Sequence, residues 1–582
     1  MKERGKRWLA RPSLPWLAAL VAVLLSATAL GNGFIADDHF LRGTALGLNP
    51  PALSVASRFD LFRFYPDDPA QIARGRELGI APWWMPLDCA ISFLRPLSSA
   101  FHALDFALWP DSAVAMHLHS LLWLAASVLA FHRLAARFEA RPWVLGLATT
   151  IFAVDAVHAI PIGWIANRNT LLAGFFSILA LYFHDRARRE HDRWAGLGSV
   201  VSLALGLASG EIALGTLGFF VAHAWTFERG MRRRAFALMP AIITVVAWRA
   251  VYVLLGYTTR RSGLYIDPLR SPFDFVKAAA DRIPRLFFAQ LGGFASDFYP
   301  MVSAEIRLAL GAVAVVGSCL LLYWLRRLLV RDELSRFWLV GLGLSLVPSA
   351  ATFPNDRLLF VASIGAAPLV ARALAEAGAS VGKPAAWVLG LVHLVLSPAS
   401  LPWRVASMRE FGRIGADMAR AIPGDLTGRT LVVVNAPESL WCVQLFTAAA
   451  SQGIAPPARL RCMGATSAEL EVFRESEQSL LLRPKRSYFT APLDGLLRAA
   501  EVPWKLGSQG DLSVISFEVT RLGPDGKPDE VRARYHVPMS SPELVSMVWD
   551  GRKLVPFTPP AIGETARFPG SDLLALVTGA AR

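Results

Sequence analysis

Apolar runs recur along the chain from Pro15 to Trp403, separated by short polar links. Several approach the roughly 20 residues that a helix needs to cross a bilayer. The pattern predicts eleven such helices, near 14–32, 113–132, 143–157, 168–184, 196–209, 211–227, 235–256, 305–325, 336–351, 358–375 and 385–402. Two longer stretches interrupt it, 33–112 and 257–299. The first holds amphipathic pieces, Trp83 to Leu87 and Phe101 to Trp109, which predict helices lying in the membrane interface. In the second, Arg285 to Tyr299 is apolar and carries glycine, which predicts a re-entrant segment. From Arg404 the pattern changes. Thr430 to Asn435 predicts a short buried strand and Ser439 to Ala450 a helix. Leu512 to Leu522 and Glu530 to Val537 flank Gly523-Pro-Asp-Gly-Lys-Pro528 as a hairpin, and a second hairpin turns at Asp550-Gly551. The expected fold is a polytopic α-helical membrane protein with about eleven spans (residues 1–403), followed by a soluble α/β domain (residues 404–582).

Composition agrees. Only 18% of the 582 residues are charged and 54% are hydrophobic, whereas a soluble chain carries about a quarter charged. The net charge of +14 could suggest nucleic acid, but the basic residues sit in alternate links: Lys2 to Arg11, Arg133 to Arg141, Arg186 to Arg193, Arg229 to Arg234 and Arg326 to Arg336. That is the positive-inside pattern of cytoplasmic loops, so nucleic acid is not an expected partner. Met1 to Leu30 has the layout of a secretory signal; with further spans behind it, it reads as an uncleaved signal anchor. An odd number of spans from a cytoplasmic start places the C-terminal domain outside. Basic loops, few cysteines and a composition rich in Trp and Arg point to a bacterial inner membrane with that domain periplasmic. Of the four cysteines, Cys442 and Cys462 either pair in an oxidising compartment or remain two buried thiols.

Polar residues gather at the span ends opposite the basic links: Asp37, Asp38 and His39; Arg95; His117 and His119; Asp155, His158, Trp164, Asn167 and Arg168; Glu211; Asn355, Asp356 and Arg357. Intramembrane and span-end charges of this kind are functional candidates. His117 and His119, two residues apart, point to different sides of a helix and do not form a metal pair. Glycines such as Gly341 and Gly343 lie inside apolar spans, where they permit close helix packing.

The order of short motifs resembles a known family. An acid pair (Asp37, Asp38) follows the first span, then Arg95-Pro-Leu97, Met116-His-Leu-His-Ser-Leu-Leu122 and Phe152-Ala-Val-Asp-Ala-Val-His158. After these come Gly163-Trp-Ile-Ala-Asn-Arg-Asn-Thr-Leu-Leu-Ala173, Ala208-Ser-Gly-Glu211 and Asn355-Asp-Arg-Leu-Leu-Phe-Val-Ala-Ser-Ile-Gly365. Together they resemble the GT-C membrane glycosyltransferases, in particular protein O-mannosyltransferases of the type with tetratricopeptide repeats, although no such repeats follow. Two motifs depart from the family: Asp155-Ala-Val-His158 stands where His-Pro-x-His is common, and Ser209-Gly210-Glu211 where Ser-Lys-Glu is.

The resemblance implies inverting transfer of a sugar from a polyprenyl-phosphate carrier to a protein, lipid or glycan acceptor at the outer face. The chemistry fits the residue types. A phosphate leaving group needs cations to hold its charge, and arginine suits its oxygens; the acceptor hydroxyl gains from a carboxylate base. By motif position Asp37 is the base, and Asp38 assists it or binds a divalent metal ion, the one cofactor expected besides the lipid-linked donor. Arg95, Arg168 and Arg357 are the donor-phosphate ligands, and Glu211, His158 and Asn167 contact substrate. Each has a plainer alternative: solvated acids or a helix cap at Asp37 and Asp38, headgroup anchors at Arg168 and Arg357, structural bonds at Arg95, Glu211 and His158. A transporter or assembly factor for envelope polysaccharide, or an inactive scaffold, remains the alternative for the whole chain. No feature predicts the oligomeric state.

Overall fold

The structure is a computed structural model that describes residues 3–49, 57–297, 299, 302, 304–378, 380–424, 426–491 and 493–578. Among these, seven helical segments are long and apolar enough to cross a membrane: Leu14–Gly31, Ala113–Ala135, Pro142–Gly163, Met231–Leu254, Glu305–Arg331, Asp356–Ala375 and Lys383–Arg420. The other four predicted stretches are helical too, at Arg168–Arg189, Arg193–Ser209, Thr216–Phe227 and Glu333–Ser349. Arg168–Arg189 ends in the charged run Asp185-Arg-Ala-Arg-Arg189, and the others have 17 residues or fewer. Seven is the number that meets both length and apolarity.

The chain divides into two compact units. Unit 1 comprises Met1–Gly33, Leu94–Leu255 and Ile266–Met408; unit 2 comprises Phe34–Phe93, Gly256–Tyr265 and Arg409–Arg582.

Unit 1 is a helical assembly held by close side-chain packing, since burial from lipid gives little drive of its own. Phe131 and Phe152 stack with centroids 4.2 Å apart. A Cβ on Gly341 would lie 2.3 Å from the Phe219 ring and one on Gly174 would lie 2.1 Å from Phe360. Gly341 is therefore the glycine that admits a neighbouring helix, while Gly343 faces open space. Of the predicted re-entrant stretch, 285–292 is the end of a helix, Pro272–Gly292 with Pro284 inside it; Gly293, in the left-handed region, closes the helix, 294–297 are irregular, and residue 298 lies outside the described residues.

Unit 2 is rich in sheet. Its strands are β1 Arg63–Tyr65, β2 Ile91–Ser92, β3 Thr430–Val433, β4 Arg459–Cys462, β5 Leu470–Arg474, β6 Ser479–Pro484, β7 Gln509–Asp511, β8 Ile515–Leu522, β9 Pro528–Tyr535, β10 Leu544–Trp549, β11 Leu554–Pro556 and β12 Thr565–Phe568. One sheet has the order β11-β10-β3-β4, with β3 parallel to both neighbours. A second, antiparallel, has the order β12-β5-β6-β9-β8-β7. The predicted hairpins are β8–β9 and β10–β11, with Gly526 and Gly551 supplying the positive φ their turns require. Helix Ser439–Ser451 follows β3, and Cys442 and Cys462 pair as a disulfide.

One expectation is overturned. Trp83 and Trp84 do not form an interfacial helix. Both are buried in unit 2, where Trp83 stacks on Phe517 and donates from Nε1 to the Met463 carbonyl (3.0 Å), and Trp84 packs on Phe489. A pair of tryptophans beside proline suits an interface and a core equally well, and here the core takes it.

Candidate functional site

Asp37 and Asp38 open helix Asp37–Ala45 in unit 2. The helix is entered through Ala36, at φ 48° and ψ −111°. That conformation is strained for a residue with a Cβ and costs of order 1–3 kcal/mol. Asp38 is fully buried and accepts the Ile35 N–H at 2.8 Å, which closes the turn. Asp37 is half-buried at the first helical position. The helix is fixed by Arg42, whose guanidinium donates to the Ser451 carbonyl at 2.7 Å, at the end of helix Ser439–Ser451. Burial, aided by the Arg42 charge, pushes the neighbouring His39 down to about 4, so it is neutral at physiological pH.

The remaining predicted residues lie in unit 1, and the fold treats them differently. Arg168 is fully buried with every nitrogen engaged. Nε donates to Ser120 Oγ (2.9 Å), Nη2 to the Met116 carbonyl (2.6 Å) and Nη1 to Asp105. Asp105 also accepts from His119 Nδ1 (2.8 Å), whose Nε2 accepts from Trp123 Nε1 (3.0 Å). Arg95 donates from Nε and Nη2 to one oxygen of Glu211, at 2.9 and 2.7 Å. His158 is buried between the Phe152 and Phe360 rings, with neither ring nitrogen bonded among the described residues. Asn167 is buried and accepts from Thr170 Oγ1 at 3.0 Å.

Arg357 is different. It sits in the single turn Asp356–Leu359, capped by Asn355, that leads into helix Phe360–Ala375. Its guanidinium is centred 5.9 Å from both the Trp164 and Phe353 rings. Among the described residues it has no hydrogen-bond or ion-pair partner.

The turn that carries Arg357 is itself clamped. Arg404 Nη2 donates to Asp356 Oδ2 (2.7 Å) and to Asp297. Asp297 accepts the Asp356 N–H (2.8 Å), and Asp356 accepts from the N–H and Oγ of Ser296, both at 2.7 Å. Beside them Gln290 donates to Asp155 at 2.9 Å, and Asp155 interacts electrostatically with Asp356 and Arg404. Burial, with the Asp356 charge adding to it, pushes Asp297 up to about 6, although Arg404 opposes the shift.

Asp105, Gln290, Asp297 and Arg404 escape a reading of the sequence alone. Asp105 had a usable signal, being the one acid in helix Pro96–Leu108. Asp297 and Arg404 had none, since the first lies in an irregular loop and the second where the composition changes. Among the described residues no group of three or more His, Cys, Asp or Glu side chains is placed to hold a metal ion. Asp38, expected to assist Asp37 or to bind a metal ion, accepts the Ile35 N–H. A cavity of about 590 Å³ lies between the end of Leu14–Gly31 and the start of Ala113–Ala135. It is lined by Gly31, Trp109, Asp111 and Ser112, and by none of the predicted site residues.

No family model matches the chain, and no curated protein does. Solved structures give distant likenesses. The apo oligosaccharyltransferase of Archaeoglobus fulgidus aligns at 11% identity and a TM-score of 0.40, over 78% of this chain and 64% of that one. The archaeal oligosaccharyltransferase AglB, in complex with an inhibitory peptide and a dolichol-phosphate, gives 11% and 0.39, over 77% and 65%. ArnT from Cupriavidus metallidurans, bound to undecaprenyl phosphate, gives 12% and 0.34, over 77% and 89%. The chain thus spans just under two-thirds of the length of the oligosaccharyltransferase it aligns with, 64%, and none of these likenesses carries a residue role over to it.

Proposed function

We propose that the chain is a GT-C-type membrane glycosyltransferase that transfers a sugar, with inversion, from a polyprenyl-phosphate carrier to an acceptor at the outer membrane face. The observation that carries this reading is Arg357, a guanidinium at the head of a membrane-spanning segment with aromatic neighbours and, among the described residues, no carboxylate of its own. A cation left unpaired beside a bilayer suits an anionic headgroup, and a departing lipid phosphate needs such a charge more than it needs a proton. Arg357 is accordingly assigned to the donor phosphate. Arg95 and Arg168 already have carboxylate partners, so they act on substrate indirectly, by fixing Glu211 and the helix starts around them.

Asp37 is assigned as the base that takes the acceptor proton, with Asp38 holding its turn. Strain at Ala36 supports that assignment, because backbone of this kind persists where geometry is needed. The Cys442–Cys462 disulfide supports an oxidising, periplasmic setting for the C-terminal region.

The test is sugar transfer by membranes bearing the wild-type chain or Asp37→Asn, supplied with polyprenyl-phosphate sugars. Loss of a positioned base predicts a fall of about 10²–10⁴-fold, with release of free lipid phosphate falling in step. Equal turnover would remove Asp37 as the base. If the wild type uses no donor, the transport or scaffold reading replaces this one.

A further inference from the structure

Among the described residues, one neighbourhood of unit 1 holds several buried polar atoms, donors and acceptors, without a hydrogen-bond partner. Glu211 receives both Arg95 bonds on Oε2, and its Oε1 is buried and, among the described residues, unpartnered. Gly210, immediately before it, abuts Asn169: a Cβ there would lie 3.3 Å from the Asn169 amide nitrogen. Asn169 is 7% exposed, and its Oδ1 is likewise without a partner among the described residues. Tyr252, on helix Met231–Leu254, lies within electrostatic reach of Glu211 and Arg95. Trp248, one turn earlier, has its ring centroid 5.2 Å from that of Tyr252. Its Nε1 is buried and unpartnered among the described residues, as is Nε of Arg249, although Nη2 of Arg249 holds Asp267 at 2.6 Å.

Among the described residues it therefore holds two open acceptors beside Gly210, and two open donors and two aromatic rings along one stretch of helix Met231–Leu254. Folded proteins satisfy the large majority of their buried polar atoms, and a buried polar atom left without a partner is destabilising. Four together call for a ligand. A phosphate would meet the Glu211 carboxylate, a divalent cation would find that single carboxylate already bonded to Arg95, and an acyl chain would leave all four atoms unpaired. A sugar ring matches, because each hydroxyl both donates and accepts while its C–H face packs on an aromatic side chain.

We propose that Glu211, Asn169, Trp248 and Tyr252 bind a saccharide ring. The proposal rests on the transferase reading only for the source of that saccharide, which is either the lipid-linked donor or a glycan acceptor.

The test is equilibrium binding to the full chain in bilayer discs. The probes are polyprenyl-phosphate hexoses and pentoses, the same polyprenyl phosphate without a sugar, and soluble methyl glycosides. The site is supported if a sugar-bearing lipid binds about tenfold or more above the bare lipid phosphate, a donor subsite, or if a glycoside binds, an acceptor subsite. In either case Glu211→Gln and Asn169→Ala should each remove about tenfold of the sugar-dependent affinity and leave bare lipid phosphate unchanged. Trp248→Phe keeps an aromatic face while removing the indole N–H, so it carries the test if the Glu211 variant fails to fold. Equal binding of sugar-bearing and bare lipid with no glycoside bound, or sugar-dependent binding that none of the variants changes, overturns the site. Sugar-dependent binding lost in the variants while no transfer occurs refutes the enzyme and leaves the site standing.

Discussion

Arg168 and Arg357 each stand at the head of a helical segment, one and two residues after an asparagine. One guanidinium is fully buried with every nitrogen bonded; the other is half-buried and bonded to nothing among the described residues. The difference lies in the neighbours. Asp105 reaches Arg168 from 63 residues away in the chain, whereas the acids near Arg357 are taken by Arg404, which clamps Asp356 and Asp297. A cation whose acids are supplied holds the fold together. One whose neighbouring acids already have a cation is left to meet something else.

Removing Arg168 should have the largest effect, and it should fall on stability. Arg168→Met would leave the Asp105 carboxylate buried without its cation. Breaking a buried pair in this way costs about 3–5 kcal/mol, which should appear as loss of monodisperse protein in detergent on heating. Adding Asp105→Asn should recover much of that loss, because the stranded charge goes with it. If Arg168→Met folds normally and fails only in transfer, the contrast with Arg357 collapses.

Arg357→Gln should give the opposite pattern. Among the described residues the Arg357 guanidinium meets only the Trp164 and Phe353 rings, contacts worth about 0.5–1 kcal/mol. Loss of one stabiliser of developing charge costs about 10²–10³-fold in rate. Thermal stability should stay close to that of wild type while turnover of lipid-linked sugar falls by that factor. A variant that unfolds with turnover per folded molecule intact would return Arg357 to the structural class.

Much of the architecture is legible from periodicity, because a continuous apolar run of about 20 residues satisfies its backbone in a bilayer as a helix. The eleven helical stretches and both hairpins follow from apolar runs and from Gly526 and Gly551. Trp83 and Trp84 show the limit, since an aromatic pair reads the same at a membrane surface and in a domain core. The candidate site is less legible for a related reason. Motif order brings Arg168 and Arg357 forward as equals, and only the position of Asp105 in space separates them. Asp297 and Arg404 carry no local pattern at all, since their significance lies in sharing one bond network with Asp356.

That network yields a smaller effect. Asp297→Asn leaves Arg404 its Asp356 partner but weakens the hold on the turn before Arg357. The expected result is a rise in KM for the lipid-linked donor of about tenfold, equivalent to roughly 1.4 kcal/mol, with kcat little changed. A fall in kcat at constant KM would assign Asp297 to the reacting centre itself. Unchanged kinetics would mean that the clamp does not position Arg357.

The smallest effect asks whether the rule for cations also holds for acids, and unit 2 supplies the case. Glu438 and Asp494 are both buried. Glu438 accepts the Leu493 N–H at 2.8 Å, and Asp494 accepts those of Ser439 and Ala491 at 2.9 and 2.7 Å. Burial pushes Glu438 up to about 8, with the Asp494 charge adding to it; burial also pushes Asp494 up to about 6, against its hydrogen bonds and the Lys527 charge. Both acids thus titrate higher in the folded state than in the unfolded chain. The folded state holds the extra protons, so their contribution is complete below the ordinary carboxylate range and is lost as pH rises through about 6 and then about 8. Unit 2 should therefore lose of order 1 kcal/mol per pH unit between those two values, measured as melting of the full chain followed by a probe in unit 2. Glu438→Gln should flatten that slope, because the amide keeps an acceptor for Leu493 and has no proton to lose. A wild-type slope of the opposite sign would mean that a cation reaches the pair, and the two carboxylates would then resemble Asp105, an acid supplied with its partner, rather than a charge the fold leaves unmatched.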